Sequence, residues 1–86
     1  MSPPKGSRKV QRVQTGVRLE RSMLKVLKGL AEYLDMSLGD LLEGIVLHAF
    51  EGKGALEGRT LEVVEDLKSI YGMDYGSEMA HRMEDS

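Results

Sequence analysis

The side chains able to do chemistry in this chain are mostly bases, and they sit together. Lys5, Arg8, Lys9, Arg12, Arg18, Arg21, Lys25 and Lys28 fall within residues 1–28, opposed there only by Glu20, for a local charge of +7. Residues 29–86 hold thirteen acids against four bases, a charge of −9, which brings the whole chain to −2. A polyanion responds to the local field, so the distribution points to nucleic acid where the overall balance does not. The competing reading is a basic run that is merely solvated. Catalysis has little to stand on. Cysteine is absent, which removes thiol nucleophiles, disulfides and thiolate metal sites. His48 and His81 stand far apart in the chain, outside any Ser or carboxylate constellation and too isolated to hold a metal. No glycine-rich phosphate loop follows a strand pattern, and the acids are scattered rather than paired. No enzymatic activity, metal or cofactor is expected.

The elements that must position these bases belong to one small domain. A chain of 86 residues buries only about 60% of the surface its unfolded form exposes, so a second copy is expected to supply the missing core. Aromatics at 5% exclude a large stacking platform, and 41% hydrophobic with 30% charged residues reads as a soluble globular protein. No apolar run approaches the roughly 18 residues of a membrane span, and the polar start carries no signal-peptide core. A cytoplasmic protein without a membrane partner is expected.

Three stretches follow one another. Residues 1–11 read as a flexible basic arm, rich in proline, serine and lysine or arginine. Within residues 12–52, the run VQRVQTGVRL (10–19) alternates. Val13, Thr15, Val17 and Leu19 fall on one side and Arg12, Gln14, Gly16 and Arg18 on the other, the period of a half-buried strand. Gly16 weakens that strand, and no second strand pattern follows, so its pairing partner must come from another chain. From residue 21 the period becomes helical. Met23, Leu24, Leu27, Leu30, Ala31 and Leu34 line a first helix over 21–34. Ser37 with Asp40 fits the [ST]-x-x-[DE] capping pattern of a second helix, whose apolar face runs from Leu38 to Phe50 before Gly52 and Gly54. Residues 53–86 give a glycine-rich link, a third helix over 60–71 opened by Thr60 and ended by Gly72, and an acidic tail, frayed or partly helical. Leu27, Leu41, Leu42, Ile45 and Phe50 are the expected core. Gly29 and Gly44 sit mid-helix, where close helix approach in a dimer and ordinary tolerance are equally good explanations.

The order of basic arm, single short strand, helix, tight turn and capped helix, carried by QTGVRLERSMLKVLKGLAEYLDMSLGDLLEGIVLHAFEG, resembles the ribbon-helix-helix family of Arc- and methionine-repressor-like DNA-binding proteins. The resemblance implies a mostly α fold with one short β-strand, in which two chains form an intertwined homodimer around a two-stranded antiparallel ribbon. It implies that the ribbon enters the major groove of double-stranded DNA and that the second helix holds a phosphate at its N-terminus. Carried onto this sequence, the outward, base-reading positions are Gln14, Gly16 and Arg18. Arginine can pair with guanine and glutamine with adenine in bidentate fashion, whereas Gly16 departs from the family pattern and reads nothing through a side chain. Ser37 and Leu38 open the second helix, where free N–H groups suit an anion, although Ser37 as a cap alone is the plainer role and Asp40 is unfavourable nearby. Arg8, Lys9 and Arg12 are the implied phosphate contacts. Arg21, Lys25 and Lys28 either extend that surface or serve solubility.

The resulting expectation is a sequence-specific transcriptional regulator, a repressor, associated with the nucleoid. Two alternatives stand beside it. Residues 53–86 resemble the partner-binding segment of an antitoxin, able to mask a basic protein, against the plainer reading of a third helix packed on the core. A protein-interaction dimer without DNA binding is the other. A plasmid-partition adaptor is a further reading from resemblance alone.

Overall fold

Three helices form where the 3.6-residue spacing predicts them. The computed structural model describes residues 6–86; residues 1–5 of the predicted arm lie outside them. Helix α1 spans Arg21–Tyr33, α2 spans Leu38–Phe50, α3 spans Arg59–Tyr71, and a 3-10 turn covers Ser77–Met79. Glu20 caps α1, its carboxylate accepting from the N–H groups of Ser22 at 2.8 Å and Met23 at 3.1 Å. Ser37 caps α2 through Oγ, which accepts from the Asp40 N–H at 3.1 Å. Gly58, rather than the expected Thr60, precedes α3, with no side-chain cap. All three helices end alike: Asp35, Gly52 and Gly72 take positive φ, and the next N–H reaches back to the carbonyl of Ala31, His48 or Lys68. That closure satisfies carbonyls the helix itself leaves free. At Asp35 an aspartate holds a backbone conformation that glycine adopts without strain.

Helix α1 is central. It packs against both α2 and α3, which do not pack on each other. Leu30, only 2% exposed, meets Ala31, Leu41 and Val63 in the core, and Leu27, Leu34, Ile45, Leu56, Val64 and Leu67 close around them. A side chain at Gly29 would place its Cβ 2.9 Å from Leu67 Cδ2, so this glycine marks the close approach of α1 to α3 within one chain. A Cβ at Gly44 would meet nothing within 4 Å.

Two expectations need correction. Among the described residues there is no β-strand, and the fold is all-helical rather than ribbon-helix-helix. Residues 7–20 form neither helix nor ladder, and Val13 and Val17 are 79% and 73% exposed. The physical reason is that alternation only says which side chains would share a face. A strand exists through ladder hydrogen bonds to a second one, and the chain supplies no second run to make them. The alternating residues therefore bury no face, and the two-stranded ribbon has no counterpart here. The second correction concerns Phe50, expected in the core but 82% exposed at the end of α2. Leu42, also expected in the core, is half-buried and lies outside the core cluster. Helical spacing placed both on the apolar stripe of α2, but α1 covers only the part of that stripe around Leu41.

Candidate nucleic-acid interface

Seven bases, Arg8, Lys9, Arg12, Arg18, Arg21, Lys25 and Lys28, are exposed along residues 8–28. On α1, residues 21, 25 and 28 are four and three positions apart, which puts Arg21, Lys25 and Lys28 within about 60° of one another around the helix axis. They thus form a single basic stripe continuing from the unstructured segment. Lys25 Nζ lies 5.7 Å from the centre of the Tyr71 ring, a cation–π contact that ties the stripe to the end of α3.

The segment before α1 is held by its own side chains. Arg12 makes a bidentate pair with Glu43 on α2, Nε to Oε2 at 3.0 Å and Nη2 to Oε1 at 2.9 Å. Hydrogen bonding to the guanidinium lowers the Glu43 carboxyl from its ordinary range and raises Arg12. Arg18 pairs with Asp85 in the C-terminal tail. Gln14 and Gly16 are exposed, and nothing lies within 4 Å of where a Gly16 Cβ would stand, so no crowding explains that glycine. Ser37 acts as a cap. Its Oγ occupies the Asp40 amide, leaving the first amides of the helix, at half-buried Leu38 and exposed Gly39, for water or an anion. The exposed Asp40 carboxylate sits in the same turn. The structure thus brings Arg12 to α2 and Arg18 to the tail; it brings none of Gln14, Gly16 or Arg18 onto the rest of the helical core.

A group that sequence reasoning passed over is Glu20. Besides capping α1, it accepts a hydrogen bond from the Tyr75 hydroxyl at 2.7 Å, joining the start of α1 to the chain after α3. Hydrogen bonds from Ser22, first from its side chain and then from its backbone, together with the Tyr75 hydroxyl, bring the Glu20 carboxyl down to about 2. Burial, then the hydrogen bond to Glu20, pushes Tyr75 up to about 12. The available signal was its isolation as the one acid among the N-terminal bases, directly before a helical run.

The linkage has a definite pH signature. Glu20 is more acidic folded than unfolded, so its contribution is complete above the unfolded carboxyl pKa of about 4.3 and disappears as pH falls toward 2. Tyr75 is less acidic folded than unfolded, so its contribution holds below about pH 10 and disappears as pH rises toward 12. Chemical denaturation of wild type and Glu20→Gln from pH 7 down to pH 2 should therefore show the wild-type advantage shrinking below about pH 4.5. An advantage unchanged down to pH 2 would contradict the network.

No known family, curated protein or solved structure matches this chain. What the site can do therefore follows from charge and geometry. Among the described residues no three His, Cys, Asp or Glu side chains gather as metal ligands, and His48 Nδ1 lies 2.7 Å from the Gly44 carbonyl of its own helix. Among the described residues no helix is long and apolar enough to cross a membrane. The arrangement is a basic strip with a helix N-terminus available to anions.

Proposed function

We propose that this protein is a DNA-binding regulator, a repressor that occupies its site on duplex DNA with the basic segment before α1 and the stripe along α1. The observation that carries the reading is the run of seven exposed bases in one continuous stretch of an otherwise acidic chain. Arg8, Lys9 and Arg12 contact phosphates and fix position. Gln14 and Arg18 reach base edges from an unpaired segment lying in a groove, as basic arms do, and Gly16 lets the backbone between them come close. The amides at Leu38 and Gly39, in the turn that Ser37 caps, take a further phosphate. Residence on DNA makes the protein nucleoid-associated.

The acting species is a homodimer. The outer face of α2 carries Leu42, Val46 and Phe50, with Leu47 on the far side of the Glu43–Arg12 pair; Phe50 and Leu47 are 82% and 63% exposed. The apolar strip of Leu42, Val46 and Phe50, edged by an ion pair, suits the same strip on a second copy, related by a two-fold axis. Two copies double the phosphate contacts. The antitoxin reading is less well supported, because α3, the most regular part of residues 53–86, already turns its apolar side, Val63, Val64 and Leu67, onto α1.

The test compares binding of wild type, Arg18→Ala and Arg8→Ala to DNA from upstream of the protein's own gene and to a scrambled duplex. Arg18→Ala should cost about 1–3 kcal/mol on the preferred site and little on the scrambled one, whereas Arg8→Ala should weaken both alike. Equal losses on both duplexes for the two variants would remove Arg18 from base reading.

A further inference from the structure

We infer that the acidic C-terminal tail is a built-in competitor of DNA, occupying the basic segment through Asp85 on Arg18 until a polyanion displaces it. The inference rests on the DNA-binding reading and adds a regulator to the same site. Two contacts far apart in sequence carry it. Asp85 pairs with Arg18, and Tyr75 donates a hydrogen bond to Glu20, two residues further along, at 2.7 Å. The second contact anchors the chain after α3 beside the base of the basic segment, so the last residues reach Arg18 from a fixed point about ten residues away. The tail carries charge of the right sign: Asp74, Glu78, Glu84 and Asp85 lie after Gly72, against Arg82 alone among arginines and lysines.

The strength of the contact suits displacement. Both partners are largely exposed, Arg18 at 85% and Asp85 at 78%, and an exposed pair of this kind is weak and screened by salt. It lowers the affinity of the free protein for isolated phosphates without blocking a duplex, which offers many charges at once. Glu43 plays a different part: it pairs with Arg12 through two bonds and holds the segment on α2.

The experiment measures duplex binding at low and moderate salt for wild type, Asp85→Asn, Arg18→Ala and the double variant, with Asp66→Asn on exposed α3 as the charge-matched control. Asp85→Asn should tighten binding to a scrambled duplex about two- to fivefold at low salt, more than Asp66→Asn does, and the gain should vanish at high salt and in the Arg18→Ala background. Equal gains from Asp85→Asn and Asp66→Asn, or a gain that survives Arg18→Ala, would overturn the competitor while leaving DNA binding intact. Failure of every variant to bind any duplex would instead overturn the DNA-binding reading, and the competitor with it.

Discussion

Leu30→Ala is expected to bring the protein close to unfolding at room temperature. Leu30 is 2% exposed and shares one core cluster with Ala31, Leu41 of α2 and Val63 of α3, so the largest buried side chain of α1 sits where all three helices meet. Removing its isobutyl end loses burial and leaves a cavity that three helices must collapse around together, a cost of about 2–5 kcal/mol. A domain of this size has roughly 4–13 kcal/mol to lose. The thermal midpoint should fall by about 10–30 °C, read by circular dichroism at 222 nm. Phe50→Ala makes the contrast. At 82% exposure the ring supports little within one chain, so at low protein concentration the midpoint should barely move. At high concentration wild type should gain stability by self-association, and Phe50→Ala should lose that gain. A Leu30→Ala protein as stable as wild type would refute the packing of the core. A wild-type midpoint independent of concentration would refute the second copy.

How much of this was legible in the sequence depended on the range of the interaction. The helices were visible because their signals are local: apolar spacing from Met23 to Leu34, the Ser37 cap, and the glycines at 52 and 72 that take positive φ. Helix α3 begins one residue before the expected Thr60, a difference within the fraying of any helix end. The strand was misread because alternation over residues 10–19 is also local, whereas a strand is not; without a second run to pair with, the pattern has no structural consequence. Phe50 was misread for a related reason. Periodicity says which residues share a stripe, and only tertiary packing says how far along the stripe a neighbour reaches. The contacts that organise the candidate site were beyond local reading. Arg12 with Glu43, Tyr75 with Glu20 and Arg18 with Asp85 join residues 31, 55 and 67 positions apart. Charge asymmetry showed a basic and an acidic half, and only the fold decides which acid meets which base.

Duplex DNA binding should depend steeply on salt, and this is the largest effect the molecule should show. Arg8, Lys9, Arg21, Lys25 and Lys28 are exposed toward phosphates, and Arg12 joins them when a phosphate replaces Glu43, three bases on the segment before α1 and three on its stripe. About six neutralised phosphates per copy give a slope of log affinity against log salt near −5 for one copy, roughly a thousandfold loss between 50 and 200 mM salt, and a steeper one for the dimer. Lys28→Ala should reduce that slope by about one while leaving sequence preference unchanged, because a phosphate contact positions without specifying. The most direct measurement is a fluorescence-anisotropy titration of a labelled duplex with the full chain at four salt concentrations across that range. Binding that weakens about a thousandfold or more from the lowest to the highest salt, with the slope reduced in Lys28→Ala, is the predicted result. Absence of binding at 50 mM salt, or an affinity that stays level as salt rises, would contradict the claim that the basic half of this protein is built to meet DNA.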